Sequence, residues 1–222
     1  MTDATYLSLL LADGRLPTGA HTQSAGVEPA LNHGLALADV PAYLSARLST
    51  VTEVEAATAV VARHRWSHTP TAEAMAGIDR AWRVRTASKA LRDASDLLGR
   101  SYLRLAVSVW PALRALTTDR TPWCRAVAVG VTAAEAALDA ERTARLIGFE
   151  DVQTAIAAAL KLQPFDPAVA VAWSVAAAPE VEALVGRVAG CREIEDIPAY
   201  VAPQIEHWAE LHTRTERRLF RA

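Results

Sequence analysis

The chain has 222 residues, 51% hydrophobic and 22% charged, with a formal net charge of −2. That length suits one large domain with a substantial core, and the composition excludes a disordered chain. The near-neutral balance excludes a strongly basic nucleic-acid binder and a protein held to an anionic membrane by charge. Cys124 and Cys191, the two cysteines, stand far apart and outside any Cys-x-x-Cys pattern, which reads as two reduced, buried thiols in a cytosolic protein. The start "MTDATYLSLLLADG" lacks a basic leader and reads as no signal peptide. The apolar runs at 126–134 and 168–178 fall short of the roughly 20 residues a membrane span needs, so the expectation is a soluble, cytoplasmic protein.

Helical periodicity runs through the chain. Apolar sequence from Tyr6 to Leu11 enters "LADGRLPTGAHTQSAGVE" (11–28), where Gly14, Pro17, Gly19 and Gly26 interrupt it and Ala-rich sequence follows. "DVPAYLSARLSTVTEVEAATAVVARHRW" predicts a helix, with Asp39 as N-cap, Pro41 in the first turn and Leu44, Leu48, Val51 and Ala59 on one face. Pro70 stops it and Thr71 caps one or two helices that end at Pro111. Residues 121–162 read as two more, with a candidate interruption near Gly148. Beyond Pro164 and Pro167, "AVAVAWSVAAA" resumes the pattern, and residues 196–222 close with a last helix. "AVAVGV" and "AVAVAWSV" alternate as strands do, but alanine favours helix and both are read as buried helices. The expectation is an all-α, multi-helix bundle forming one domain over residues 1–222.

No phosphate loop, dinucleotide fingerprint, nucleophile elbow or His-Glu-x-x-His motif occurs. His21 and Ser24 lack an orienting third group and a visible oxyanion turn. His64 and His68, four apart, share a helix face, but no neighbouring acid or cysteine completes a ligand set. His207 and His212 read as surface or partner-contact residues, and Glu53, Glu55, Asp93 and Asp96 as solvated helix faces. No catalytic, cofactor or metal set emerges.

Three polar clusters stand apart from this background. In the opening segment, Gly19 and Gly26 permit tight turns and Pro17 stiffens the entry. In "RDASDLLGRSYLRLA", Arg92, Ser95, Gly99 and Arg100 recur as a polar stripe, with a mid-helix glycine that costs about 1 kcal/mol relative to alanine and so marks a close approach. The end "RRLFRA" joins a basic tail to Leu219 and Phe220, and without a partner it is expected to fray.

At these three places the sequence resembles the UreF family of urease accessory proteins. "LPTGAHTQSAGVE" is similar to a family pattern LPxGxFxxSxGLE and keeps Pro17, Gly19, Ser24, Gly26 and Glu28. "ASDLLGRSYLRLA" is similar to ASxxxGRxLLRLA through Ala94, Ser95, Gly99, Arg100, Leu103 and Arg104. The chain end matches RHExxxxRLFxS at His212, Arg218, Leu219 and Phe220. The departures are His21 for the usual Phe, Val27 for Leu, and Ala222 for a final Ser. "KLQPFDP" stands in place of a loop like RLGPLGQ, with Lys161, Asp166 and Pro167 altered, which bears on any partner contact made there.

The resemblance implies an all-helical, usually homodimeric, non-catalytic protein without a cofactor of its own. It would bind a UreD/UreH-type accessory protein and recruit the GTPase UreG for nickel insertion into apo-urease. Under it, Pro17, Gly19, Ser24, Gly26, Glu28, Arg92, Ser95, Gly99, Arg100, Arg104, His212, Arg218, Leu219 and Phe220 are partner-binding residues. Two other classes stay open: a small helical metal-binding protein or metalloenzyme using His64 and His68, with His21 as a further candidate, and a helical DNA-binding regulator, which lacks a basic reading helix.

Overall fold

A computed structural model of the chain describes residues 3–117, 122–215 and 218–220. Those residues form ten α-helices and four short 3-10 turns without a strand, and the all-α class holds. The helices are α1 (Ala4–Leu11), α2 (Val27–Asn32), α3 (Val40–Leu48), α4 (Val51–His68) and α5 (Ala72–Arg85). They continue as α6 (Lys89–Val109), α7 (Arg125–Glu135), α8 (Ala140–Leu162), α9 (Pro167–Val188) and α10 (Pro203–Thr213).

The core is organised around α4. Its residues from Ala56 to Ala62 are all buried, and α5, α7, α8, α3 and α9 pack around it. A helix apolar on every side belongs in an interior, and small side chains let its neighbours come close. On α7 a Cβ at Gly130 would stand 2.4 Å from the Ala59 carbonyl and 2.8 Å from the Ala62 Cβ. "AVAVGV" is therefore a buried helix, as its alanine content predicts.

Several boundaries differ from the sequence reading. The helix predicted from Asp39 breaks into α3 and α4 at Ser49–Thr50, where both hydroxyls bond back to the Ser45 and Ala46 carbonyls. These local bonds give the end of α3 the partners a continuing helix would have supplied. Asp39 makes no side-chain capping bond, whereas Thr71 caps α5 through the Ala74 amide at 3.2 Å. Gly148 does not interrupt α8. The break falls at 136–139, where Ala137 has φ 54° and Asp139 caps α8 through the Arg142 amide at 2.7 Å. The closing helix is shorter than expected: residues 198–202 lie outside any helix, and Pro203 stands in the first turn of α10, where a proline is tolerated.

The reading of "AVAVAWSV" as buried is corrected. α9 packs only its inner face on α8, α3 and α4, leaving Val169, Val171 and Val175 at 42%, 63% and 68% exposure. Sequence shows that the first half of the helix is apolar all round; it does not show that neighbours stand on one side alone. α9 is also, among the described residues, the one helix long and apolar enough to cross a membrane, with 22 residues and mean hydropathy 1.5. Counting uninterrupted apolar runs missed it. Its second half is tied to the bundle: Glu180 accepts from Ser45, Glu182 pairs with Arg145, and Arg187 pairs with Glu53.

Candidate partner-binding surface

After α1 the opening segment is shaped by two left-handed glycines. Gly19 (φ 84°) begins the turn Ala20–Thr22, closed by the Thr22 hydroxyl on the Gly19 carbonyl at 2.8 Å. Gly26 (φ 77°) starts α2 under the Tyr43 hydroxyl, which donates to the Ala25 carbonyl at 2.7 Å. A Cβ at Gly26 would stand 2.5 Å from that hydroxyl, so both the conformation and the space demand glycine.

The segment meets the other two clusters. A Cβ at Gly19 would touch Ser101 and Leu98 of α6 at 3.6–3.9 Å, so the first motif lies against the second. Glu28, 3% exposed, accepts the Leu219 amide at 2.6 Å and the Phe220 amide at 2.8 Å, so the first motif also holds the third. His212 completes the joint, with Nε2 3.1 Å from the Phe220 carbonyl and 3.5 Å from Glu28 Oε2. Glu210 of α10 accepts from Ser88 and the Ala90 amide at the start of α6, at 2.7 and 2.9 Å.

Within this assembly the named residues divide. Pro17, Arg100, Arg104, Arg218 and Leu219 are exposed, and Gly19 is half-buried. Arg100 and Arg104 make no hydrogen bond or ion pair among the described residues. Ser24, Gly26, Glu28, Ser95, Gly99, His212 and Phe220 are buried inside the protomer. Ser95 accepts the Arg125 amide at 2.8 Å, and Arg92 holds the Thr86 and Ala87 carbonyls at 2.6 and 2.7 Å. Gly99 lies where a Cβ would stand 2.0 Å from the Trp123 carbonyl oxygen, the close approach its mid-helix position predicts. The polar stripe is thus two faces: Ser95 and Gly99 turn inward, and Arg100 and Arg104 outward. The expected frayed tail is corrected too, since Phe220 is 4% exposed; Arg217, Arg221 and Ala222 lie outside the described residues. His212, which reads from sequence as a surface or partner-contact residue, is 1% exposed.

Beneath the segment lies a layer of buried charge that sequence reading missed. Arg47 grips Asp151 at 2.5 and 2.9 Å, and Thr52 donates to the same carboxylate at 2.8 Å. Arg125 pairs with Glu55 at 2.9 Å and Glu150 at 2.7 Å. Burial alone would push the Asp151 carboxyl up, but the Arg47 charge and the bonds from Arg47 and Thr52 hold it below the usual range. At Glu150 burial prevails over Arg125 and the carboxyl is pushed up. Glu53, Glu55 and Asp96, read as solvated, are ion-paired to Arg187, Arg125 and Arg83 and largely buried; Asp93 is exposed. A cavity of about 100 Å³ bounded by Gln23, Arg47 and Trp82 lies over this layer. Beside it a cleft of about 510 Å³ opens between the segment, α8 and Phe220.

His64 and His68 stack with ring centroids 4.5 Å apart, and His68 Nδ1 lies 2.8 Å from the His64 carbonyl. Among the described residues no three His, Cys, Asp or Glu side chains converge on a point where a metal would sit.

A family model described as UreF matches residues 36–179. Among curated proteins the chain is 37% identical over 214 residues to the urease accessory protein UreF of Mycolicibacterium vanbaalenii, covering 96% of each. It is 35% identical over 222 residues to the UreF of Mycobacterium sp. (strain JLS), covering 99% of each. The UreF of Mycobacterium marinum is 37% identical over 161 residues, 72% of this chain and 73% of the relative. The model match leaves out the opening segment and the tail, and the full-length relatives extend the likeness to both ends.

Proposed function

The chain belongs to the UreF family of urease accessory proteins, and we propose on that footing that it is a single-domain, cytoplasmic, non-catalytic scaffold for urease maturation. In this reading it binds a UreD/UreH-type protein and recruits UreG for nickel insertion into apo-urease. One observation carries the reading: three polar motifs spread over about two hundred residues fold into one joint, with Pro17, Arg100, Arg104 and Leu219 on its outside. Arginines without a partner among the described residues and an exposed leucine on the same joint suit an interface with apolar contact and a charged rim. Co-purification with UreD-type and UreG-type proteins tests it. Arg100→Ala with Arg104→Ala should lower partner capture at least about tenfold while leaving the melting curve unchanged, since exposed substitutions fall within about 0.5 kcal/mol.

The homodimer belongs to the exposed face of α9, in our reading. Val171 and Val175 lie on one side of that helix, and a second copy laid there would cover apolar surface that is exposed among the described residues. An interface of about 1,600 Å² is the expected scale. Val171→Glu with Val175→Glu should sediment as a folded monomer at tens of micromolar where the parent is a dimer. Unchanged sedimentation would move the interface elsewhere. The metal-binding alternative is separated by titrating the isolated protein with nickel and zinc: a stoichiometric, sub-micromolar site lost on replacing His64 and His68 would displace the scaffold.

A further inference from the structure

We propose that Glu28 is the positioning residue of this recognition surface, clamping the tail so that the opening segment and the chain end act as one element. This rests on the scaffold reading above. Glu28 is buried in the first turn of α2, and each carboxylate oxygen takes one of two consecutive amides, Leu219 and Phe220. Two charge-assisted bonds to adjacent amides fix the direction of the backbone as well as its place. The consequences run outward. Phe220 turns in and becomes a wall of the cleft under the segment, with the Lys161 ammonium 5.5 Å from its ring centre. Leu219, its neighbour, is 63% exposed and points the other way.

His212 closes the clamp on the carbonyl side of Phe220. The tail's own backbone is thus held on both its donor and its acceptor groups by side chains from α2 and α10. Without the clamp Leu219 would sit at the end of a free chain, and every partner contact would carry the entropy of ordering it. With the clamp, Leu219 stands at a fixed place beside the segment that carries Pro17 and Gly19.

The test uses the full chain and two readouts. Hydrogen exchange on the isolated protein follows the Leu219 and Phe220 amides, and capture of a UreD-type protein follows function. Glu28→Gln should lower tail protection roughly ten- to a hundredfold, as expected for charge-assisted hydrogen bonds, and lower capture in parallel. Leu219→Pro removes one clamped amide from the tail side, where the fold of the bundle is not at stake, and should match Glu28→Gln in protection of the remaining Phe220 amide and in capture. Leu219→Ala keeps the amide, and should keep protection while weakening capture. Protection unchanged in both Glu28→Gln and Leu219→Pro, or capture unchanged after protection is lost, overturns the proposal. A parent protein that shows tail protection but captures no UreD-type protein overturns the scaffold reading and leaves the clamp standing.

Discussion

Gly99→Leu should lower stability by about 3 kcal/mol or more, at the upper end of overpacking effects, and Gly99→Ala should already be severely destabilised. The first atom of any side chain there would meet the Trp123 carbonyl oxygen at 2.0 Å and the Cys124 carbonyl carbon at 2.9 Å. These are backbone atoms, and no rotamer can clear them. They are also pinned: Asp79 accepts the Cys124 amide at 2.8 Å, and Ser95 accepts the Arg125 amide one residue on. The backbone could retreat only by breaking those bonds and lifting α7 away from α6. Because α7 is also wedged against α4 at Gly130, the displacement would reach the centre of the bundle. Denaturant midpoints measure the effect, and Gly186→Ala is the contrast. That helical glycine has nothing within 4 Å of an added Cβ, so alanine should raise stability by about 0.5–1 kcal/mol. A Gly99→Leu protein that unfolds at the parent's midpoint would show that α7 sits farther from α6 than described.

The sequence made some of this architecture readable and hid the rest for identifiable reasons. Alanine-rich periodicity located α4 and α7 because intrinsic preference and burial agree there. The cost of glycine inside a helix marked Gly99, because that cost is local and the residue itself carries it. Partners across the fold were not readable. Arg47 and Asp151 are 104 positions apart, and nothing near either one tells a buried pair from two solvated charges. Glu53 and Glu55 read as solvated for the same reason. The motifs point to a candidate surface but not to its orientation: Ser95 and Arg100 are equally polar, and only packing decides that one caps α7 and the other faces outward. Glu28 shows the limit most clearly. The likeness identified it as a motif residue, yet its carboxylate serves the chain's own tail, 191 positions away.

The second large effect is expected at the buried pair. Arg47→Met should cost about 3–5 kcal/mol, the usual penalty for stranding one charge of a buried pair. The side chains of Arg47 and Asp151 are 6% and 5% exposed, so solvent does little to screen the charge left behind. Thr52 would remain on the carboxylate, and Arg125 acts on it only at longer range. In the parent the folded-state pKa of Asp151 is depressed. Its contribution is therefore present above the unfolded carboxylate value, about 3.9, and is lost as pH falls through the lower folded value. Without Arg47, burial pushes the same carboxyl up instead, and acid relieves the stranded charge by protonating it. The gap between parent and Arg47→Met should then be widest at neutral pH and should narrow from pH 7 to pH 5. Arg47→Met combined with Asp151→Leu should regain most of the loss, because a buried pair replaced by apolar groups of similar volume is often neutral or better. Urea midpoints of the three proteins at the two pH values decide it. A gap that stays constant with pH, or a double variant no better than the single one, would mean that the loss comes from packing around the Arg47 stem and not from the unpaired carboxylate.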